Sequence, residues 1–347
     1  MRAVVYRAYG EQPVVEDVAE PACPADGVVV EVAATGVCRS DWHAWQGHDP
    51  VPLPMVPGHE FAGTLVEVGA EVAGWSVGDR VTVPFVVACG RCAWCAAGEQ
   101  QVCPDQVQPG FTYPGSWAER VAVPAAAANL VRVPDGLALD AAAALGCRFA
   151  TSYRALTVHG GLRAGQHLAV HGCGGVGLSA VMIGVALGAH VVATDLDPAA
   201  REAACALGAE VLDPAAVPVA DAVRDATGGG AHVSVDAVGS PATAAASVRS
   251  LRRRGRHVQV GLLLGDQAAP PLPMDVVVAH ELTVVGSHGM AAHEYPAMLD
   301  LVAAGTLDPA ALVTRRIPLA EAPAAMAALG TPGAACPGIT VVVPGRR

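Results

Sequence analysis

The first chemical signal in this chain lies in scattered cysteine and histidine. Cys38 stands in GVCRSDWH, His59 in PGHEFAG and Cys147 in LGCRFATSY. Read singly, each thiol is more often a small core hydrophobe than a ligand, and His59 is an ordinary loop histidine. Read together, two thiolates and one imidazole form the soft and borderline donor set that zinc favours. Three protein ligands leave a fourth position for water or substrate, as a catalytic site requires.

A second set is local. Cys89, Cys92, Cys95 and Cys103 follow the spacing C-x2-C-x2-C-x7-C within one short run of a chain that holds ten cysteines. Four thiolates close a tetrahedral zinc site with no open position. An iron–sulfur cluster takes similar spacings. Disulfides are the weakest reading, because MRAVVYRAYGEQP lacks the charged, apolar and small-residue regions of a secretory signal. The expected location is therefore cytoplasmic, where disulfides are rare.

The third signal is HLAVHGCGGVGLSAV, with Gly172, Gly174 and Gly177 in the pattern GxGxxG. An apolar strand precedes it and a helix follows, which is the context a dinucleotide fingerprint needs. Gly172 permits the tight turn, Gly174 lets a pyrophosphate approach the backbone, and Gly177 permits close packing. The helix N-terminus faces the phosphates with free N–H groups. Asp195 ends the next strand, HVVATD, where a carboxylate accepts from the ribose hydroxyls and repels a 2′-phosphate. That favours NAD over NADP. The competing reading is a glycine turn that only packs two elements, with Asp195 capping the next helix.

The elements that must hold these residues fall into three zones. Up to about residue 150 the chain shows short β-rich runs (MRAVVY, GVVVEVAATG, GTLVEVG, DRVTV) separated by Gly and Pro. From 151 to 290 strands alternate with helices, which implies a doubly wound parallel sheet. From 291 one helix, EYPAMLDLVAAG, a Pro-rich connection and the strand GITVVV remain, too little for an independent domain. The fold class is α/β, with a β-rich domain beside a parallel-sheet domain. ELTVVGS reads as an edge or internal strand. A net charge of −11 argues against nucleic acid. Arg252, Arg253, Arg254 and Arg256 cluster, but they read as a solvated helix end. No run is apolar enough to suggest a membrane span.

On GVCRSDWH, PGHEFAG, the four-cysteine run, LGCRFATSY and GCGGVG, in that order along the chain, the sequence resembles the zinc-dependent medium-chain alcohol dehydrogenases over its whole length. The resemblance implies a GroES-like catalytic domain at 1–150 with a structural zinc lobe near 86–105. It implies a Rossmann NAD-binding domain at 151–290 and a segment, 291–347, that returns to the catalytic domain. It assigns Cys38, His59 and Cys147 to a catalytic zinc, Cys89, Cys92, Cys95 and Cys103 to a structural zinc, and NAD to the fingerprint. The implied reaction is reversible oxidation of a primary or secondary alcohol, with hydride passing to the nicotinamide C4. The proton leaves through Ser40 and His43.

Further roles follow from the same resemblance. Asp41 holds His59 in its tautomer, and Glu60 is the acidic neighbour of the zinc. Arg39 reaches the pyrophosphate. Thr151, Gly175, Val176, Val260 and Leu262 join the cofactor site. Trp42, Trp45 and Phe85 are candidate pocket walls, with plain core as the competing reading for each. Ile339 stands where many relatives carry arginine, which shifts phosphate anchoring toward Arg39. A polyol or sugar dehydrogenase is the near alternative, and a zinc-ribbon interaction module without catalysis is the remote one. The expected partners are a small alcohol or carbonyl and further copies of the chain, a tetramer ahead of a dimer.

Overall fold

The structure is a computed structural model and describes residues 1–331, 333 and 337–345. Cys336, just before the strand GITVVV, lies outside the described residues. The chain forms two compact units: Met1–Ala150 with Gly289–Arg347, and Thr151–His288.

In the first unit a seven-stranded sheet runs in the order Val313–Pro318, Ile339–Val343, Val28–Gly36, Phe61–Val68, Arg80–Thr82 and Val131–Arg132, with Arg120–Val123 also paired to Val28–Gly36. A separate antiparallel pair joins Arg2–Val5 to Val14–Asp17. The long strand Val28–Gly36 is buried on most of both faces, as its nearly unbroken apolar sequence requires. Its antiparallel register with Phe61–Val68 sets Thr35 opposite Phe61, and the Gly36 N–H donates to the Glu60 carbonyl at 2.7 Å. This register carries Cys38, just past one strand, to His59 and Glu60, just before the other. Phe61 is fully buried at that junction, so truncating it to alanine should cost about 3–5 kcal/mol.

Cys147 arrives by another route. The short helix Leu139–Ala143 packs on both of these strands. It then widens into a π-type turn over Leu145–Phe149 that contains Cys147, a distortion that recurs at functional sites. The Phe85 N–H donates to the Gly146 carbonyl at 3.0 Å and holds the turn against the sheet.

In the second unit six parallel strands run in the order Glu210–Leu212, His190–Thr194, His167–His171, Ala231–Asp236, Leu251–Gln259 and Thr283–Gly286. Numbered along the unit this is 3-2-1-4-5-6, the Rossmann order, with its switch point beside His167–His171. Thr283–Gly286, from ELTVVGS, is an edge strand.

Two sequence expectations need correction. The arginine run is not a helix end: Arg252, Arg253, Arg254 and Arg256 lie in the strand Leu251–Gln259. A register shift accommodates them, with Arg254 at φ 60°, and their side chains stay exposed. The final segment holds more than one helix and one strand. It adds Val313–Pro318, parallel to Ile339–Val343, and a helix at Ala322–Ala328. Pro323 made that stretch look like a connection, yet it sits in the first turn, where a missing N–H costs nothing.

Candidate active site and metal centres

Cys38, His59, Glu60 and Cys147 converge. One ligand atom from each lies within 4.8 Å of the others. Asp41, buried in the helix Arg39–Trp45, organises three of the surrounding groups. Its Oδ2 accepts from the Cys38 N–H at 3.1 Å. Its Oδ1 accepts from the Gly58 N–H at 3.1 Å and pairs with His59 Nδ1 at 2.9 Å. An ionised carboxylate only accepts, so Nδ1 carries the proton and Nε2 keeps its lone pair. Nε2 is buried and has no hydrogen-bond partner among the described residues. A buried, unpaired imidazole nitrogen beside two thiols fits zinc, which satisfies all three at once.

The local electrostatics agree with that donor set. The hydrogen bond between the thiols holds Cys38 well below its ordinary pKa and pushes Cys147 well above. Burial disfavours charge on His59, but Asp41 outweighs it and raises the proton affinity of the ring. A cation placed there draws on the same stabilisation.

Glu60 has a partner that the sequence reading missed. Arg148, the residue after Cys147, donates from its backbone N–H and from Nε to Glu60 Oε1 at 3.0 and 2.9 Å, and from Nη2 to Oε2. Both side chains are buried. Burial raises the Glu60 pKa and Arg148 opposes it. The fork is tightly enclosed: a Cβ on Gly36 would stand 2.2 Å from Glu60 Oε2 and 2.8 Å from Arg148 Nη2. The available signal was an acid following one ligand and a base following another.

Around the trio, Phe85 and Phe111 meet the His59 ring edge-on, with centroids 6.1 and 5.1 Å away. Phe111 was not singled out in the sequence. Trp42 is half-buried, against Gly330 on one side and with the Arg39 guanidinium 5.4 Å from its ring centroid. Of the two readings of Trp45, pocket wall or core, its packing fits the core. It is buried among the residues around Tyr6 and Met55, and its indole N–H donates to the Glu11 carbonyl at 2.6 Å. Ser40 is half-buried, its Oγ 3.8 Å from Cys38 Sγ. Burial, His48 and Arg39 together lower the His43 pKa to about 4.

The four-cysteine run folds into its own lobe around the short helix Ala93–Ala96. Its Sγ–Sγ distances are 3.9 Å for Cys89–Cys95, 3.5 Å for Cys92–Cys95 and 3.7 Å for Cys92–Cys103. A tetrahedron with Zn–S near 2.3 Å needs S···S of about 3.8 Å, whereas a disulfide needs about 2.05 Å. Backbone N–H groups of Cys89 and Cys95 point to Cys103 Sγ and Cys92 Sγ, each at 3.4 Å, which favours thiolates. Backbone donors lower the Cys89 pKa to about 7, while burial lifts Cys95 to about 12.

In the second unit the glycine turn has the geometry a dinucleotide needs. Gly172 takes φ +95°, and a Cβ there would meet Val238 at 2.4 Å. A Cβ on Gly177 would come 1.7 Å from the Gly172 carbonyl. On Gly174 it would meet nothing within 4 Å, so this face of the turn is free for a phosphate. Gly175 and Val176 open the helix Gly175–Ala186. Asp195 lies at the turn: Oδ2 accepts from the Cys173 N–H at 2.6 Å and Oδ1 from the Asp197 N–H at 2.8 Å. Asp197, not Asp195, caps the following helix. Thr151 Oγ1 is buried without a partner among the described residues, and the Ser152 hydroxyl donates to the Val176 carbonyl at 2.9 Å. The Val260 N–H donates to the Asp236 carbonyl at 3.1 Å, beside the exposed Leu262.

Comparison with known proteins agrees with this geometry. Residues 24–135 match the alcohol dehydrogenase GroES-like domain and residues 175–304 the zinc-binding dehydrogenase domain. An alcohol dehydrogenase of Geobacillus stearothermophilus is 36% identical over 291 residues, covering 83% of this chain and 84% of that protein. A D-arabitol-phosphate dehydrogenase of Enterococcus avium is 32% identical over 329 residues, 92% of each. The structure of an alcohol dehydrogenase from Thermus sp. ATN1 superposes with TM-score 0.91 at 32% identity, covering 99% of both chains. The chain belongs to the zinc-dependent medium-chain alcohol dehydrogenase family, oxidoreductases that use zinc and a nicotinamide cofactor on small-molecule substrates.

Proposed function

We propose that the protein catalyses the reversible NAD-linked oxidation of a primary or secondary alcohol at Cys38, His59 and Cys147, with two zinc ions per chain. The observation that carries this reading is the unpaired, buried His59 Nε2 beside two thiols, its tautomer held by Asp41. Zinc supplies a Lewis acid for the substrate oxygen, and NAD the hydride acceptor.

The chain's own residues do the rest. Asp41 orients His59 and buttresses the Cys38 backbone. Arg148 holds Glu60 in a buried fork, which keeps that carboxylate from competing for the fourth metal position. The Ser40 hydroxyl accepts the proton of the substrate and passes it toward His43, whose ring stays neutral at physiological pH. Phe85 and Phe111 make the surroundings of His59 apolar and exclude water. Asp195 favours NAD, because a 2′-phosphate would meet its carboxylate. Arg39 anchors the pyrophosphate where Ile339 offers no charge. The protein is taken to work in the cytoplasm as a homo-oligomer.

Kinship with D-arabitol-phosphate dehydrogenase favours a second reading, a polyol or sugar substrate. The aromatic walls argue for a less polar molecule. A panel of aliphatic, aromatic and polyhydroxylated alcohols, assayed with NAD and NADP by absorbance of the reduced cofactor, decides between them. Turnover only with polyols, or only with NADP, would overturn the first reading. Zinc is counted per chain in parallel.

A further inference from the structure

His43 does not end in solvent. Its Nδ1 lies 3.2 Å from Nδ1 of His48, with ring centroids 5.4 Å apart. Both imidazoles meet the edge of Trp42, at 4.9 and 5.3 Å. The chain is built to hold them together. After the helix Arg39–Trp45 the backbone turns back through Gly47 at φ +75°, and the His48 N–H donates to the His43 carbonyl at 3.0 Å. A Cβ on Gly47 would meet the Tyr9 ring at 3.0 Å, so the turn is pressed against its neighbour. His43 is half-buried and His48 exposed.

Two imidazole nitrogens at this distance need one proton between them, one donating and the other accepting. With Nδ1 committed to His48, Nε2 is the nitrogen that His43 has left for an incoming proton. We propose that His48 is the outer station of the proton path, taking the proton of the substrate from His43 and releasing it to water. This rests on the Ser40–His43 relay proposed above and extends it by one residue.

The balance is simple. A proton arrives at His43 Nε2. The Nδ1–H bond of His43 breaks and an N–H bond forms at His48 Nδ1. His48, now imidazolium, gives its Nε2 proton to water. One proton leaves the substrate, one enters solvent, and no electrons move. Reorientation of the rings, one of them exposed, restores the starting tautomers. The groups around the pair are Arg39 and the Cys38 thiol, with Tyr9 against the Gly47 turn and the Asp49 N–H donating to the His43 carbonyl at 3.4 Å. Burial, His48 and Arg39 all weaken a positive charge on His43, so it passes a proton on and does not store one.

The test compares His48→Gln with His43→Gln in steady-state alcohol oxidation, across pH and at low and high concentrations of imidazole buffer. His48→Gln should lower kcat on the order of tenfold, less than the hundredfold or more typical of a direct acid–base catalyst. The alcohol KM and NADH affinity should hold, and imidazole should restore the rate. His43→Gln should show a larger, likewise rescued loss. If His43→Gln is impaired and rescued while His48→Gln matches the parent at every pH and buffer concentration, His48 is off the path and the shorter relay stands. If neither variant responds to buffer, the relay itself fails and this proposal with it. A loss in His48→Gln that imidazole does not restore, with a lowered melting temperature, makes His48 structural and overturns the proposal. Histidine-labelled NMR gives a check without substrate: His48→Gln should raise the midpoint at which His43 titrates, and an unmoved midpoint overturns the coupling.

Discussion

The two cysteine clusters are built in opposite ways. The lobe draws Cys89, Cys92, Cys95 and Cys103 from one loop, with a four-residue helix for scaffold and a small satellite core. The other cluster draws Cys38, His59 and Cys147 from three places, held by a strand register, a buried carboxylate and a π-type turn. A loop that closes around its ligands depends on the metal for its shape. A site at the junction of a seven-stranded sheet keeps its shape from packing and can leave one position open. The lobe is therefore expected to respond to metal loss in stability, and the trio in catalysis.

The largest effect should come from breaking the lobe. Structural zinc supplies an apparent ~10–16 kcal/mol in small metal-folded domains, so Cys95→Ser should lose one zinc per chain and markedly lower the melting temperature before substrate choice changes. An unchanged melting temperature with an altered substrate profile would reverse the assignment of the two clusters. Cys38→Ser should do the converse, abolishing turnover while calorimetry records little change.

Next comes the buried fork. Arg148→Met leaves Glu60 without its partner, which typically costs about 3–5 kcal/mol. Urea denaturation should register that loss, and the double variant Arg148→Met/Glu60→Gln should recover most of it. Failure of the double variant to recover would show that Arg148 stabilises the site by another route.

A smaller effect separates the second unit from both clusters. Burial lowers the His171 pKa to about 4, below the ordinary value near 6.5. The unfolded chain then binds more protons than the folded one between those values. Stability is full above about pH 6.5 and falls as pH drops toward 4, by on the order of 3 kcal/mol. Denaturant melts at pH 7 and pH 5 should show the loss, and His171→Asn should reduce it, leaving the part that His43, also lowered to about 4, contributes.

The smallest expected change is at Asp41. Asp41→Asn keeps the shape but removes the charge that fixes the His59 tautomer, and partners of this kind change metal affinity by about 10–100-fold. Competition with a chelator should show faster zinc loss from the catalytic site alone. Equal loss from both sites would mean that Asp41 acts on the whole unit.

Local features were legible because their physics is local. The four cysteines lie in one loop, and the glycine turn needs only a strand before it and a helix after it. The alternation of strands and helices was enough for a doubly wound parallel sheet, while the Rossmann assignment came with the family resemblance and the strand order only with the structure. Where packing overrode local character, the sequence misled. The stretch before GITVVV read as a Pro-rich connection and holds a helix with Pro323 in its first turn. The arginine run read as a helix end and lies in a strand, whose burial falls on Leu251, Gly255, His257 and Val258 and leaves the arginines exposed. Trp45 read as either a pocket wall or plain core, and only packing decided for the core.

By itself, then, the sequence determined which donors exist, the fold class that carries them and the four cysteines that share one loop, because residue type and short spacing decide those matters. Tertiary structure alone decided who meets whom: Cys38 with His59 through the Thr35–Phe61 register, Glu60 with Arg148, His59 with Phe111, and His43 with His48 across a glycine turn. The reason is physical. Contacts between residues far apart in the chain depend on sheet register and helix packing, and every residue of the core helps to set those.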